Sequence, residues 1–459
     1  MNRIKPNKQW LIYAIVFVAY VCIAIFAGIH HEPWADEAQS WLIARDSHSL
    51  IEIFRAVKYE GTLPTWHLIN KAFQLAGLDY NHLFVIPLVF SAIGVILLFF
   101  TDAPLLAKVM LPFSFFVVYQ NSVVARQYAL VFPVMMLIVI IYKKRFEMPV
   151  RYHLVLFLLA LTSSYGVVIS CSFMLWDFIE MAQRKFKVPG FKRFIVSFIS
   201  TGVAIVAISI LSLPPKDSSA SINKFPFAKN ATNALLFGIY DKAIQYVFLG
   251  LVVILLAYYF RKHLIQVVIL SAPLILFMSI LYQRLWHMTY LFCLLVSLMI
   301  IFYDGFAKTS GHRGELLNLL TKIVLIALLS VQCFTGFYSI YYDHQYAYSP
   351  AKEVASLIKP YVESGASINR SGFPSIAVSP YFDNSIYSND TCGKTYYVWS
   401  YNVGNGIFTE EYPDVVVAGQ KIDKLDDNDY DVYEYESHMI FKLSESEAID
   451  YIVYVKKGI

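Results

Sequence analysis

Residues 30 to 68 read HHEPWADEAQSWLIARDSHSLIEIFRAVKYEGTLPTWHL and carry six acidic against three basic side chains. Carboxylates and imidazoles gathered at this density suit proton transfer, and they can also supply oxygen and nitrogen ligands to a divalent cation. Asp36 and Glu37 open a predicted helix whose Ala38, Trp41, Leu42 and Ala44 form an apolar stripe. Both carboxylates then sit at the positive end of the helix dipole, which keeps an acid ionised. Asp36 fits either a helix cap or a positioned general base. Glu37 fits either dipole compensation or a second site carboxylate. His30 and His31 read as interfacial histidines or ligands, and Trp34 and Trp41 as membrane anchors or sugar platforms. What favours chemistry is convergence: Glu32, Asp36, Glu37, Glu60, His30, His31 and His67 all come from one loop. A second short helix, Ser49 to Val57, is announced by Ser49 with Glu52 three residues later.

The elements that hold this loop belong to a membrane. The 459-residue chain is 58% hydrophobic, has a mean hydropathy of +0.54 and only 15% charged residues, which excludes the soluble globular class. A hydrocarbon core about 30 Å thick takes roughly twenty apolar residues per helix. Such segments recur at about 10–29, 82–100, 104–120, 127–142, 152–163, 165–182, 191–213, 236–260, 264–282, 285–304 and 318–341. Lys143, Lys144, Arg145 and Arg151, then Arg184, Lys185, Lys187, Lys192 and Arg193, then Arg261 and Lys262, then Lys308 and Arg313 occupy alternate linkers, which predicts a cytoplasmic N-terminus and eleven crossings. The linker with Lys216, Lys224 and Lys229 is the one exception. Residues 64–78, with Pro64, Trp66, Leu68, Ile69, Phe73 and Leu75, are expected to lie along the interface, because a crossing there would invert every later loop.

With eleven crossings the tail emerges on the outer face. Residues 342–459 hold eighteen of the 33 acidic side chains against nine of the 37 Lys and Arg, so the tail carries −9 and the remainder +13. The runs VSPYF, DVVVAG, YDVYEYES, MIFKLSE and DYIVYVKKG read as short strands, and Val354 to Val362 as a helix. The expected organisation is a transmembrane catalytic unit over 1–341, with its outer loop at 30–81, and a small α/β extracytoplasmic domain over 342–459 able to fold alone. Cys22, Cys171, Cys293, Cys333 and Cys392 occur singly, which indicates neither a disulfide framework nor a thiolate metal site. A net charge of +4 gives no reason to expect a nucleic-acid partner, and no GxGxxG or GxxxxGK[ST] fingerprint appears.

EPWADEAQSWLIARD followed by YEGTLPTWH, in an outward loop after the first span, resembles the multi-span GT-C glycosyltransferases that use polyprenyl-phosphate sugars, the group containing protein O-mannosyltransferases and the aminoarabinose transferase of lipid A. VYQNSVVARQYAL adds an Arg-x-Tyr-x-Leu element, here Arg126, Tyr128 and Leu130. The resemblance covers roughly residues 1–180. It implies an all-α polytopic GT-C-like fold with about eleven transmembrane helices and Asp36 as catalytic base. Glu37 belongs to the same pair, and Glu60 falls where relatives carry an acidic residue. The chain departs from the pattern at Gln120 and Asn121, where relatives have an acid, and at Thr62 and Leu63, which separate Gly61 from Pro64.

The reaction implied is transfer of a sugar from polyprenyl phosphate to a hydroxyl of a glycan, lipid or protein, inverting the anomeric centre because no second carboxylate is placed for covalent retention. Arg126 with Tyr128 is the expected binder of the departing phosphate; as a bare sequence feature Arg126 also fits an interfacial snorkelling arginine. Arg284 and His287, in YQRLWHMTY, are second candidates that also fit a turn anchored by Trp286. Glu60, Trp34 and His67 are assigned to substrate, and Glu37, Glu60 and His31 to a divalent metal should one be needed. The competing readings are a transporter or flippase of lipid-linked sugars, which would place charges inside its spans, and a non-catalytic envelope assembly protein.

Overall fold

The computed structural model describes residues 6–219, 242–280, 284–303, 312–390, 393–403, 413–425, 429–439 and 451–459. Lys224, Lys229, Lys308, Cys392 and nearly all of MIFKLSE lie outside the described residues. Among the described residues five helices are long and apolar enough to cross a membrane: Lys8–His30, Tyr80–Phe99, Ser164–Gln183, Phe191–Leu211 and Gly314–Gln345. Their exposed surfaces are lined by residues such as Leu11, Ile15, Ile199, Val203 and Phe334, as a lipid-facing surface requires. Five shorter apolar helices accompany them, at Gln127–Tyr142, Pro149–Ala160, Leu249–Tyr259, Leu264–Ile280 and Leu285–Ile301.

In chain order the α-helices are α1 (Pro6–His30), α2 (Ala35–Asp46), α3 (Leu50–Lys58), α4 (Thr65–Leu75), α5 (Val85–Phe99), α6 (Leu105–Met110), α7 (Val131–Tyr142), α8 (Pro149–Ala160), α9 (Ser164–Gln183), α10 (Phe191–Leu211), α11 (Lys242–Tyr259), α12 (Leu264–Ile280), α13 (Met288–Ile301), α14 (His312–Gln345) and α15 (Ala351–Glu363). At eleven residues α4 is about 16 Å long, half a hydrocarbon core, and it carries its apolar face onto α2.

The segment expected as a continuous span at 104–120 is instead broken. Pro104 starts α6, and Pro112, which has no N–H to give the preceding turn, opens a 3₁₀ turn over Leu111–Phe113. Ser114 is extended, and Phe115–Gln120 form a π-helix closed by the Asn121 N–H donating to the Phe116 carbonyl. All six π-helical side chains are buried. The long helix α14 presses on this irregular backbone at Gly336, where an added Cβ would lie 2.8 Å from the Phe113 carbonyl oxygen.

Contacts at the two ends of α1 orient the bundle. At its N-terminal end Tyr13 stacks on Phe99, next to the turn in which Asp102 pairs with Lys143. The basic linker 143–151 continues from there, with Arg145 buried on Asp177 and Phe146 packed on Phe194 in the first turn of α10, which follows the next basic linker. At the C-terminal end of α1, His30 meets His344 and His31 meets Asp343, so α1 and α14 finish on the same side.

The tail folds as α15 and a four-stranded sheet of order β1-β2-β4-β3, with β1 at Ile368–Ser371, β2 at Val415–Ala418, β3 at Tyr430–Tyr435 and β4 at Tyr451–Lys456. β1 runs parallel to β2, and β4 pairs antiparallel with both β2 and β3. VSPYF, expected as a strand, lies mostly in a 3₁₀ helix over Pro374–Tyr381, where Pro374 and Pro380 remove ladder donors. The tail is not a separate globule. Val354, Ile358, Val415 and Val453 share one apolar core with Trp41, Leu42 and Ile43 of α2 and Trp66 of α4. Its boundary is sewn by side chains of α2: Gln39 exchanges two 2.8 Å hydrogen bonds with the Tyr397 backbone, and Asp46 accepts from the Thr395 N–H and hydroxyl.

Candidate functional site

Trp34, extended at φ −96° and ψ −179°, is the residue that caps α2, so Asp36 and Glu37 occupy the second and third helical positions. Adjacent positions on a helix diverge by about 100°, and the two carboxylates accordingly face different surroundings. Glu37 turns back into the protein. One oxygen accepts from the Ala125 N–H at 2.5 Å, and the other from the Trp34 N–H at 3.2 Å and from His31 Nε2 at 3.1 Å. His31 Nδ1 lies 2.8 Å from Asp343, which also accepts from the Tyr119 hydroxyl at 2.7 Å. Burial opposes charge on His31, but the two flanking carboxylates prevail and raise its pKa well above the usual imidazole range. A protonated imidazole has no lone pair for a metal.

Asp36 points the other way, at 24% side-chain exposure. Its backbone carbonyl accepts from Arg126 Nη1 at 2.7 Å, and its carboxylate lies 3.3 Å from Arg126 Nη2. Burial raises the Asp36 carboxyl, and Arg126, with Arg284 further off, opposes the rise. The helix dipole was expected to keep this acid ionised; desolvation by burial runs against it. Arg126 is positioned by the loop that leaves the π-helix: Glu37 holds Ala125, and Arg126 itself is extended before a 3₁₀ turn over Gln127–Leu130.

Arg126 also lines a tight hollow with Trp34, Gln120, Tyr128, Trp286 and Tyr348. Trp34 meets Trp286 edge-on at 5.5 Å, and Tyr128 meets His287 at 5.7 Å. His287 Nδ1 accepts from the Arg284 N–H at 2.9 Å. Arg284 and His287, expected as secondary candidates, therefore do come to the site, His287 as part of the wall against Tyr128.

Glu60 and His67 form a second buried group beside it. Gln39 Nε2 donates to Glu60 at 2.8 Å, and the Glu60 carboxylate lies 3.7 Å from His67 Nε2. Burial pushes Glu60 up to about 7, with Gln39 and Arg126 opposing and Asp36 adding to the rise. Burial, aided by Arg126, takes His67 down to about 3. The imidazole is thus neutral near neutral pH and, at 3.7 Å, does not form an ion pair with Glu60. The sensitivity of all these groups to Arg126 marks them as neighbours in one field.

The expected metal trio is not brought together. Both oxygens of Glu37 and both nitrogens of His31 are engaged within the protein, while Glu60 is held by Gln39. Among the described residues no group of three or more His, Cys, Asp or Glu is placed to hold a metal ion. His30 hydrogen-bonds its own helix at the Phe26 carbonyl. Sequence reasoning missed Gln120, Tyr348, Gln39 and Asp343 as members of this region. A polar Gln–Asn pair closing the apolar run FFVVYQN was the available signal for Gln120. Gln39 and Asp343 carry no local signal, since their partners are 358 and 312 residues away.

No protein-family model, curated protein or solved structure matches this chain.

Proposed function

We propose that this chain is a multi-pass membrane glycosyltransferase of GT-C type, with eleven crossings, a cytoplasmic N-terminus and its site and tail on the outer face of the cytoplasmic membrane. It would move a sugar from a polyprenyl-phosphate donor to a hydroxyl of a cell-surface glycan, lipid or protein. The observation that carries this reading is the partly exposed Asp36 carboxylate paired with Arg126, which itself borders a cluster of aromatic side chains, just beyond the end of a membrane-length helix. Such a depth suits a donor whose phosphate stays among headgroups while its tail stays in hydrocarbon.

Asp36 takes the proton of the acceptor hydroxyl as its oxygen bonds to the anomeric carbon. The bond from that carbon to the phosphate oxygen breaks, and its electron pair leaves with the polyprenyl phosphate. Burial moves the Asp36 carboxyl toward working pH, which strengthens it as a base. Arg126, whose Nη1 and Nη2 hold Asp36, brings a fixed positive charge to the departing phosphate. Arg284 adds positive charge in the same field. One attack from the face opposite the phosphate inverts the sugar.

The test is to incubate purified protein with a panel of polyprenyl-phosphate sugars and follow donor loss by mass spectrometry, for wild type and Asp36→Asn. Consumption by wild type and not by the variant is expected. Consumption of nucleotide sugars with lipid-linked donors ignored would defeat the reading.

A further inference from the structure

The helices α9 and α10 are joined on the side of the molecule away from Asp36. Tyr165, in the first turn of α9, lies 5.0 Å from His287, and the helix then runs about 30 Å before it ends at Gln183. The turn that follows contains the only non-glycine residues at positive φ among the described residues, Lys185 at 51° and Phe186 at 60°. Glycine takes this left-handed backbone freely and a Cβ crowds it, so the turn alone gives no reason for a lysine and a phenylalanine. Both side chains stand exposed. The backbone beneath them is fixed: the Phe186 N–H donates to the Met181 carbonyl at 2.8 Å, and Val188 is buried with Met181, Phe146 and Phe194.

Lys185 and Lys187 flank Phe186, and Lys192 and Arg193 follow Phe191, whose ring centroid is 6.1 Å from that of Phe186. Four exposed cations therefore gather around one aromatic pair. None of the four makes an ion pair among the described residues: Asp177 holds Arg145, Glu180 holds Arg145 and Arg184, and Glu147 is outnumbered by Lys144 and Arg151 in its own linker. Phe178, 49% exposed, meets Phe186 at 6.4 Å, and Leu175 on α9 with Val196 and Ile199 on α10 carry the open apolar surface onward along two membrane-length helices. A soluble polyanion would answer the cations and leave these rings in water, whereas a neutral lipid would cover the rings and leave the cations unanswered. An acidic phospholipid does both. We propose that this turn is a binding site for anionic phospholipid, its phosphate drawn to Lys185, Lys187, Lys192 and Arg193 and its acyl chains lying against Leu175 and Phe178. The inference rests on α9 and α10 crossing a bilayer and is independent of the proposed sugar transfer.

The test measures lipid binding to full-length protein by native mass spectrometry from a neutral detergent, with phosphatidylglycerol and phosphatidylcholine of identical acyl chains as probes. Each Lys or Arg beside an anionic headgroup layer strengthens attraction about fivefold. Wild type is therefore expected to bind phosphatidylglycerol about tenfold or more tightly than phosphatidylcholine, and less so as salt is raised. Lys185→Gln, Lys187→Gln, Lys192→Gln and Arg193→Gln combined should bring the two lipids within about threefold. Lys352→Gln, Lys359→Gln, Lys421→Gln and Lys424→Gln combined, at four exposed lysines of the tail, should leave the preference intact, which separates a local site from net charge. Should the first set fail to fold, Lys185→Gly with Phe186→Gly suits the left-handed turn and should still lower the preference about fivefold. Equal binding of the two lipids by wild type, a preference lost equally in both sets, or no change in the glycine variant overturns the inference. Displacement of phosphatidylglycerol by inorganic phosphate at matched ionic strength would assign the cations to a soluble anion and overturn it too.

Discussion

Two sides of one helix turn face opposite environments. Behind α2, Glu37, His31, Asp343 and Tyr119 form a closed chain of hydrogen bonds with no exposed carboxylate. In front of it, Asp36 and Arg126 pair with about a fifth to a quarter of each side chain open. The closed side ties the ends of α1 and α14 to the start of α2 and to Ala125, and so sets where Arg126 can stand. Both sides hold groups with displaced pKa values, but only the open side leaves its carboxylate and guanidinium partly exposed. A neighbouring pair of acids is thus divided into one closed within the protein and one partly exposed beside Arg126.

The largest effect that could break this comparison is kinetic. Asp36→Asn is expected to lower sugar transfer by about 10² to 10⁴-fold with little change in thermal midpoint, measured by donor consumption and a melt in detergent. Comparable activity in the variant would remove the base. On the closed side, Glu37→Ala leaves a buried imidazolium facing only Asp343 and opens the Ala125 N–H, which should cost about 3–5 kcal/mol of stability. A melt unchanged by this substitution would show that Glu37 is not the tie described.

Glu60 sharpens the contrast through pH. Its folded pKa, about 7, exceeds its ordinary 4.5, so the folded state holds the proton more tightly and stability falls as pH rises from 4.5 through 7. Glu60→Gln should therefore stabilise by about 1–3 kcal/mol at pH 8 and change little at pH 4, read as the difference between melts at the two pH values. A variant equally stabilised at both would place the cause elsewhere. The smallest effect is that of Tyr119→Phe, which removes one hydrogen bond to Asp343 and should cost about 1.5–2 kcal/mol in the same melt while transfer is retained.

Much of this layout was legible from local pattern. The membrane-length helix Tyr80–Phe99, the amphipathic helix α4, the Ser49 cap of α3 and strands β2, β3 and β4 all follow rules that act over a few residues. Ser49 Oγ accepts from the Glu52 N–H as its spacing foretells, although the Glu52 carboxylate takes the His48 N–H instead of that of Ser49. The break at 111–120 was less legible, because hydropathy measures transfer to lipid and is blind to the missing N–H of Pro112. β1 was missed because INRS has a polar centre; Arg370 is buried there on Asp390.

Residue types and spacing by themselves determined that this chain forms apolar helices of membrane-spanning length, that its polar side chains gather after the first of them, and that Asp36 and Glu37 enter a helix together. Only the tertiary structure decided that Glu37 closes on His31 and Ala125, that Asp36 meets Arg126, that Gln120 reaches the hollow, and that the tail shares a core with α2. Hydrophobic periodicity is a local signal carried by neighbours three or four residues apart. Which way a side chain turns depends on partners 88 to 358 residues distant, and that information exists only once the chain has packed.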